Sequence, residues 1–339
     1  MKQLKPAILV CFVLIVAILL IPSILVLPFS TGTAKGKLEE NPGEADWEKL
    51  LKESSIVDIS VYRAEKDEVQ TLPLEQYIVG VVAGEMPANF EEEALKAQSL
   101  AARTYIIRKI LSGEAEANLK GADVSDTVNH QVYKDEKQLK EKWGLDYGKN
   151  IEKIRKAVYE TRGQIITFDG EPITASFFST SNGYTENAED YWSNPLPYLK
   201  SVESPWDLES KEYIAQQSFT IEEFQKKLGV TINGSDVGEI LSRTTGNRVE
   251  KVRIGNKEFT GRQVREALNL RSTDFTWERK GNEIIVTTKG YGHGVGMSQY
   301  GANGMAKEGK TYEDIIKHYY QGVAIAEAKT YIEQYLANK

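Results

Sequence analysis

The pattern of apolar and polar positions divides the chain into an apolar N-terminal run and a long region of mixed periodicity. Residues 7–29 contain no charged side chain, and as a helix rising ~1.5 Å per residue they extend about 35 Å, enough to cross a bilayer. Lys2 and Lys5 precede this run, and no Lys or Arg follows it before Lys35, which favours an N-terminus in the cytoplasm. The alternative is a cleaved signal peptide, whose apolar region is normally shorter. We predict a single-pass membrane anchor at 1–29, with the rest of the chain outside the cytoplasm.

Beyond a Gly-, Lys-, Glu- and Pro-rich linker at 30–50, segments with the helical period alternate irregularly with segments of period 2. The mixture has no regular strand–helix–strand repeat, which predicts an α+β fold. Pro87 ends one helix directly after Glu85. The predicted elements are strands at 55–62, 68–72, 164–168 and 174–179, helices at 73–85, 91–111 and 149–162, short strands and helices through 205–290, and helices at 297–307 and 312–320.

The segment 205–290 differs from its flanks because it holds no cluster of reactive side chains. It is either an accessory domain or the other half of one core, and the sequence leaves both open. The predicted organisation is a transmembrane anchor at 1–29, a linker at 30–50, a catalytic region at 51–204, an accessory region at 205–290 and the C-terminal part of the catalytic region at 291–339.

Charge and cysteine content narrow the functional classes. The formal net charge is −7, or −9 without the two lysines of the anchor, which disfavours nucleic acid as a partner. Cys11, the one cysteine, lies in the anchor, so the exported part forms no internal disulfide. His130, His293 and His318 are isolated in the sequence. Without a His-x-x-x-His motif or a cysteine pair, we predict no metal and no cofactor.

Glu85 is the strongest candidate for catalysis. It lies at the junction of two predicted helices, in the sequence Gly-Glu-Met-Pro at 84–87, among apolar or small neighbours. A carboxyl beside apolar surface has a raised pKa and can donate a proton at neutral pH. The adjacent Gly84 leaves room for a ligand to approach. The commoner alternative is a helix-terminal glutamate in solvent.

The helix after Glu85 carries no charge between Ala94 and Ile107 apart from Lys96 and Arg103. These two cations are seven residues apart, close to two turns, and therefore project from one side of the helix. We predict that they form a cationic ledge beside Glu85 that binds substrate carboxylates, since cations in direct contact would lower the pKa of the acid. The alternative is a narrow solvated face whose long side chains reach out to water.

Two loops carry further candidates for substrate binding. The segment 179–187 and its continuation combine hydroxyls, amides and aromatic rings, which suits a sugar-binding groove, although such turns are commonly structural. The segment 291–302 lacks both the lysine of a phosphate loop and the Gly-x-Ser-x-Gly of a nucleophile elbow. It predicts a tight turn lining the site, and a lone histidine there is more often structural. The loop candidates are Ser181, Asn182, Tyr184, Tyr198, Lys200, His293 and Gln299.

These motifs closely resemble the stage II sporulation protein D family of spore-forming Firmicutes. The resemblance rests on GEMP at 84–87, the helix with Lys96 and Arg103, STSNGYT at 179–185 and GHGVGMSQYGA at 292–302, and it covers essentially the whole chain. The family implies a lytic transglycosylase acting on peptidoglycan during forespore engulfment, held in the mother-cell membrane facing the septum. Its implied partners are a sporulation amidase (stage II protein P) and stage II protein M.

By the same resemblance, Glu85 is the catalytic acid, and the matched site positions are Lys96, Arg103, Tyr198 and Lys200. Some family members carry a zinc-binding cysteine pair near the segment 126–131. This chain has His130 but no cysteine there, so the resemblance does not carry the metal over.

One acid is enough for the implied reaction, in which the 6-hydroxyl of the muramic sugar attacks its own anomeric carbon. The products are 1,6-anhydro ends at linkages between N-acetylmuramic acid and N-acetylglucosamine, and we expect strands that lack stem peptides to be preferred. Two alternatives stay open. The chain is a non-catalytic, peptidoglycan-binding activator of the amidase, or it is a hydrolase in which Glu189 or Asp190 activates water for Glu85.

Overall fold

The structure is a computed structural model that describes residues 43–114, 116–232 and 236–337. The predicted anchor and most of the predicted linker lie outside the described residues. Within the described residues, no helix is both long and apolar enough to span a membrane. The chain divides into two compact units, 1–46 and 47–339, and all candidate site residues belong to the second.

The fold is α+β, as predicted, with helices and several small sheets. The described helices are α1 (Glu44–Glu53), α2 (Leu74–Glu85), α3 (Glu92–Ser112), α4 (Glu136–Trp143), α5 (Tyr147–Glu160), α6 (Ala188–Trp192), α7 (Ile221–Leu228), α8 (Gly261–Leu268), α9 (Gln299–Lys307), α10 (Tyr312–Tyr319) and α11 (Ala328–Ala337).

The strands are short and form sheets of two or three members. They are β1 (Asp58–Arg63), β2 (Glu68–Pro73), β3 (Val124–Ser125), β4 (Gln164–Phe168), β5 (Glu171–Pro172), β6 (Phe177–Phe178), β7 (Ile214–Thr220), β8 (Gly238–Arg243), β9 (Val249–Ile254), β10 (Lys257–Thr260), β11 (Asp274–Lys280), β12 (Glu283–Lys289), β13 (Met297–Ser298) and β14 (Ala324–Glu327). The strand orders are β2-β1-β3, β14-β4-β5, β13-β6, β10-β9-β8 and β11-β12-β7.

Helices α2 and α3 form the centre of the larger core. α2 ends at Glu85 because Met86 is extended, with φ −120° and ψ 142°, as the residue before a proline prefers. α3 ends at Gly113, whose left-handed φ of 63° closes the helix. Around α3 pack α2, α5, α9 and β4, and its run of buried alanines lets these neighbours approach closely.

A second apolar core lies within 219–286 and is built from α7, α8 and the strands around them. Its buried residues include Phe224, Val252, Leu268 and Phe275. The predicted accessory region therefore contains a core of its own, while its status as a separate domain stays a prediction.

Some elements differ from the sequence-based predictions. The strand predicted at 174–179 is reduced to β6. Several elements were not predicted, among them α1, which begins inside the predicted linker at 30–50, and α4, α6, β14 and α11. α4 lacks a visible apolar stripe because Leu139 is its one buried residue.

Candidate active site

Glu85 is the last residue of α2 and is held on two sides. Its carboxylate Oε1 accepts a hydrogen bond of 2.7 Å from the backbone N–H of Val132. Its backbone carbonyl accepts one of 3.0 Å from Gln299 Nε2, at the start of α9. The side chain is half-buried, and this burial raises the pKa of Glu85, while the Val132 N–H opposes the rise. The carboxyl is therefore both oriented and biased towards its protonated form.

The segment that carries Val132 lies against α2 because two glycines leave it space. A Cβ at Gly80 would lie 2.2 Å from the ring of Tyr133, and a Cβ at Gly84 would lie 2.6 Å from the backbone oxygen of Val132. Tyr133 also stacks on Tyr77 with ring centroids 5.7 Å apart. Gly84 was expected to make room for a ligand, but in the structure the Val132 carbonyl occupies that room.

Glu85 opens onto a cleft of about 580 Å³, which we call the Glu85 cleft. One wall is the end of α2 and the turn after it, and the other is formed by α4, the start of α5 and the turn between them. The lining residues are Gly84, Glu85, Met86, Pro87, Ala88, Asn89, Lys142, Trp143, Asp146, Lys149 and Asn150. The size and the mixture of one aromatic ring with polar groups suit a small polar ligand such as a sugar.

The far wall was missed by sequence reasoning, although a capping box marks the start of α4. Asp135 accepts a hydrogen bond from the Gln138 N–H, and the Gln138 side chain accepts one from the Asp135 N–H. This Asp-x-x-Gln pattern is a recognisable start of a helix. It was the available indication that Trp143 and its neighbours are placed by a helix.

Lys142, near the end of α4, is a charged residue of the far wall whose contacts are defined. Lys142 Nζ donates to the backbone oxygen of Ala83 at 3.2 Å and lies 5.6 Å from the centroid of the Trp143 ring. Burial, together with the charge of Lys134, lowers the pKa of Lys142. Neither Lys142 nor Lys134 is among the causes of the raised pKa of Glu85.

Lys96 and Arg103, the predicted cationic ledge, bind internal carboxylates instead. Lys96 Nζ lies 2.8 Å from Glu93 Oε1 and 2.6 Å from Glu160 Oε2. Arg103 is fully buried, and its Nη2 lies 2.7 Å from Glu75 Oε2. Neither Lys96 nor Arg103 lines the Glu85 cleft. The predicted ledge is not formed, because α2 and α5 cover the side of α3 that carries these two residues.

The loop at 179–187 supplies structural contacts rather than a groove at Glu85. Ser181 is buried, and its Oγ donates to Asp207 Oδ2 at 2.9 Å. Asn182 is also buried, and its Nδ2 donates to the Gly246 carbonyl and to Asp274 Oδ2. Tyr184, by contrast, is 39% exposed.

The two site positions that follow this loop are also engaged internally. The hydroxyl of Tyr198, which is 7% exposed, accepts a hydrogen bond of 3.0 Å from the Thr174 N–H. Lys200 forms an ion pair with Glu189. Neither residue lines the Glu85 cleft.

The glycine-rich turn at 291–302 brings one of its two candidates to Glu85. Gln299 reaches the Glu85 carbonyl as described and also donates to Gln98 Oε1 at 3.3 Å. His293 instead packs among aromatic rings, 5.3 Å from Trp192 and 5.8 Å from Tyr191 between centroids. Burial lowers the pKa of His293 to about 3, helped by two nearby arginines. His293 is therefore a neutral packing residue at physiological pH.

These contacts define an α+β protein with a half-buried, oriented carboxyl in an open cleft. The family model described as Stage II sporulation protein matches residues 62–168. The stage II sporulation protein D of Bacillus amyloliquefaciens is 51% identical over 347 residues, covering 99% of this chain and 100% of that protein. The protein of the same name from Bacillus subtilis (strain 168) is 51% identical over 336 residues, covering 96% and 97%. The chain belongs to the stage II sporulation protein D family.

A further relative carries a different name. The "Amidase enhancer" of Bacillus subtilis (strain 168) is 31% identical over 301 residues, which cover 73% of this chain and 40% of that protein. Among the described residues, no group of three or more His, Cys, Asp or Glu side chains is arranged to hold a metal ion. His130 contacts Glu116 Oε1 through Nε2 and Ser125 Oγ through Nδ1, both at 2.9 Å.

Proposed function

We propose that this protein is a lytic transglycosylase that cleaves peptidoglycan glycan strands during forespore engulfment. The observation that carries the proposal is Glu85, whose half-buried carboxyl has a raised pKa and opens onto a cleft of about 580 Å³. A carboxyl with a raised pKa keeps its proton to a higher pH, which suits it to general acid catalysis. The family membership supports the role in sporulation.

In the proposed reaction, Glu85 donates its proton to the oxygen that links C1 of N-acetylmuramic acid to C4 of N-acetylglucosamine. The C1–oxygen bond breaks, and its electron pair stays on that oxygen, which leaves as the 4-hydroxyl. The 6-hydroxyl of the muramic sugar then attacks C1 and closes the 1,6-anhydro ring. Its proton passes to the Glu85 carboxylate, which restores the acid without consuming water.

A hydrolase needs a second carboxylate to activate water. The residue in a position to do so differs from the two that the sequence suggested. Glu189 and Asp190 line a different cavity, together with Glu186 and Arg248. Among the described residues that line the Glu85 cleft, Asp146 is the other carboxylate. Asp146 is therefore the residue whose replacement separates hydrolysis from transglycosylation.

Mass spectrometry of digested glycan strands tests the proposal. We expect the wild type and Asp146→Asn to release 1,6-anhydro ends, and Glu85→Gln to release none. Reducing ends that disappear in Asp146→Asn would support hydrolysis and overturn transglycosylation. Anhydro ends that persist in Glu85→Gln would remove the acid from its role.

A second candidate function is activation of a sporulation amidase without glycan cleavage. The name of the relative called "Amidase enhancer" favours it. In this case, the purified protein would leave glycan strands intact and raise the rate of the amidase, and Glu85→Gln would raise it equally. Both rates are measured in the same digestion.

Anchoring and partners complete the proposal. We place the chain in the mother-cell membrane through residues 7–29, with the cleft on the extracytoplasmic side. The proposed partners are the amidase stage II protein P and stage II protein M. Protease accessibility of the full-length protein in sealed membranes tests the orientation, since an external unit is digested from outside.

A further inference from the structure

Asp207 is a buried carboxyl that the catalytic proposal does not use. It lies in a short 3-10 helix, Pro205–Glu209, and its side chain is fully buried. A buried acid destabilises a fold unless hydrogen-bond donors satisfy its oxygens. In the part of the chain that the structure describes, its donors are the Ser181 N–H and the hydroxyls of Ser181, Ser204 and Ser298.

The contact with Ser298 connects this acid to the start of α9. Asp207 Oδ1 accepts a hydrogen bond of 2.5 Å from Ser298 Oγ. Ser298 is the N-cap of α9, and its Oγ accepts a hydrogen bond of 3.2 Å from the Gly301 N–H. The approach is close, because a Cβ at Gly301 would lie 2.8 Å from Asp207 Oδ2 and 2.0 Å from the hydroxyl oxygen of Tyr319. The start of α9 is therefore fixed against the buried carboxyl.

The first residue of α9 extends this chain of contacts to the proposed acid. Gln299 Nε2 donates to the backbone carbonyl of Glu85 at 3.0 Å. This bond holds the last residue of α2 from one side, while the Val132 N–H holds the carboxylate from another. A shift of the start of α9 would release the Glu85 backbone and with it the direction in which the carboxyl points.

We propose that Asp207 is a positioning residue for Glu85 and acts through Ser298 and Gln299. This inference rests on the proposed function, since it assigns a role in the same reaction to a side chain that does not line the Glu85 cleft. Proton donation depends on the orientation of the acid, whereas substrate binding depends on the whole cleft. The loss should therefore appear in kcat rather than in KM.

Kinetics and amide hydrogen exchange of the full-length protein test the inference together. Asp207→Ala removes the acceptor of the Ser298 hydroxyl, and we expect kcat for glycan cleavage to fall on the order of tenfold with KM unchanged. The Val132 amide should exchange faster, because its N–H is bonded to the Glu85 carboxylate and loses that bond when the carboxyl turns away. Ser298→Ala breaks the same contact and gives the same test if Asp207→Ala does not fold.

Gln299→Ala places the effect on the proposed route. It should lower kcat as much as Asp207→Ala does, and the double variant should lose no more than either single variant, because residues that act through one chain of contacts are not additive. Losses that multiply in the double variant would mean that the two residues act independently.

Ser204→Ala is the matched control, since it removes a hydrogen bond from the other oxygen of the Asp207 carboxyl. It should lower the unfolding temperature and leave kcat and the exchange of the Val132 amide near the wild-type values. The inference is overturned if Ser204→Ala has the same effects as Asp207→Ala, or if Asp207→Ala changes neither kcat nor this exchange. A failure of the catalytic proposal is distinguishable, because the wild type then forms no anhydro ends while the exchange of the Val132 amide still decides the positioning role.

Discussion

Glu85 accepts a hydrogen bond that orients its carboxylate and lowers its pKa, while burial of the side chain raises the pKa. The Val132 N–H stabilises the carboxylate, while burial stabilises the neutral acid. Since burial prevails, the pKa of Glu85 is raised and the carboxyl keeps its proton to a higher pH than an ordinary glutamate does. The sequence indicates this acid as a candidate because its apolar neighbours are adjacent in the chain, and its catalytic role stays a prediction.

The pH dependence of kcat/KM follows from that shift. A general acid works in its protonated form, so activity falls as pH rises through the raised pKa of Glu85. We expect Trp143→Ala to admit water to the cleft and to move this falling limb to lower pH. Trp192→Ala, which changes a tryptophan outside the cleft, should leave the limb in place. A limb that stays unchanged in Trp143→Ala would mean that another group sets it.

Arg103 illustrates a residue whose role the sequence could not assign. Its partner Glu75 is 28 residues away, so no local pattern indicates the pair. Arg103→Met leaves Glu75 charged and buried, and we expect it to lower the free energy of unfolding by about 3–5 kcal/mol. Adding Glu75→Leu should restore most of the loss, because replacing both members of a buried pair is often nearly neutral.

Thermal unfolding and glycan binding together check this prediction. The double variant should unfold near the wild-type temperature and bind glycan strands without stem peptides as the wild type does. A double variant that folds well and no longer binds glycan would return Arg103 to the substrate site that the family resemblance implies.

At the level of elements, the geometry of the candidate active site depends on how closely α2 and the segment at Val132 approach each other. The sequence predicted α2 and its end within a residue, since Leu74–Glu85 is observed and Pro87 is an unambiguous stop. It could not predict the approach, because the segment has no periodicity of its own and is placed by tertiary contacts. α4 was not predicted either, because its sequence is polar and only one of its residues is buried.

Gly84→Ala tests the importance of this approach. Its Cβ would lie 2.6 Å from the backbone oxygen of Val132, so the segment must move and take with it the N–H that orients Glu85. We expect kcat/KM to fall on the order of tenfold with the fold retained. Gly148→Ala is the control, since a Cβ there meets nothing within 4 Å. Unchanged activity in Gly84→Ala would mean that the Val132 contact is dispensable.

At the scale of the whole molecule, the loop at 179–187 joins the larger core to the second core. Asn182 donates to Gly246 and Asp274, and the buried Arg248 lies 3.8 Å from Glu186. The glycine-rich turn packs on the same junction, because a Cβ at Gly294 would lie 2.4 Å from Arg248 Nε. The hydroxyl and amide side chains of this loop were expected to bind sugar. In the structure, Asn182 instead forms hydrogen bonds at this junction.

Asn182→Ala is therefore expected to weaken the junction rather than substrate binding. It removes two hydrogen bonds of about 3 Å from a buried position, for which we expect a loss of about 1–3 kcal/mol in stability. Hydrogen exchange should speed up at 180–186 and 244–248 and stay unchanged in α2 and α3. Tyr184→Ala, on the exposed side of the same loop, should change neither region. If Asn182→Ala instead raised KM for glycan strands with exchange unaltered, the loop would belong to the substrate site, and the two cores would be joined by other contacts.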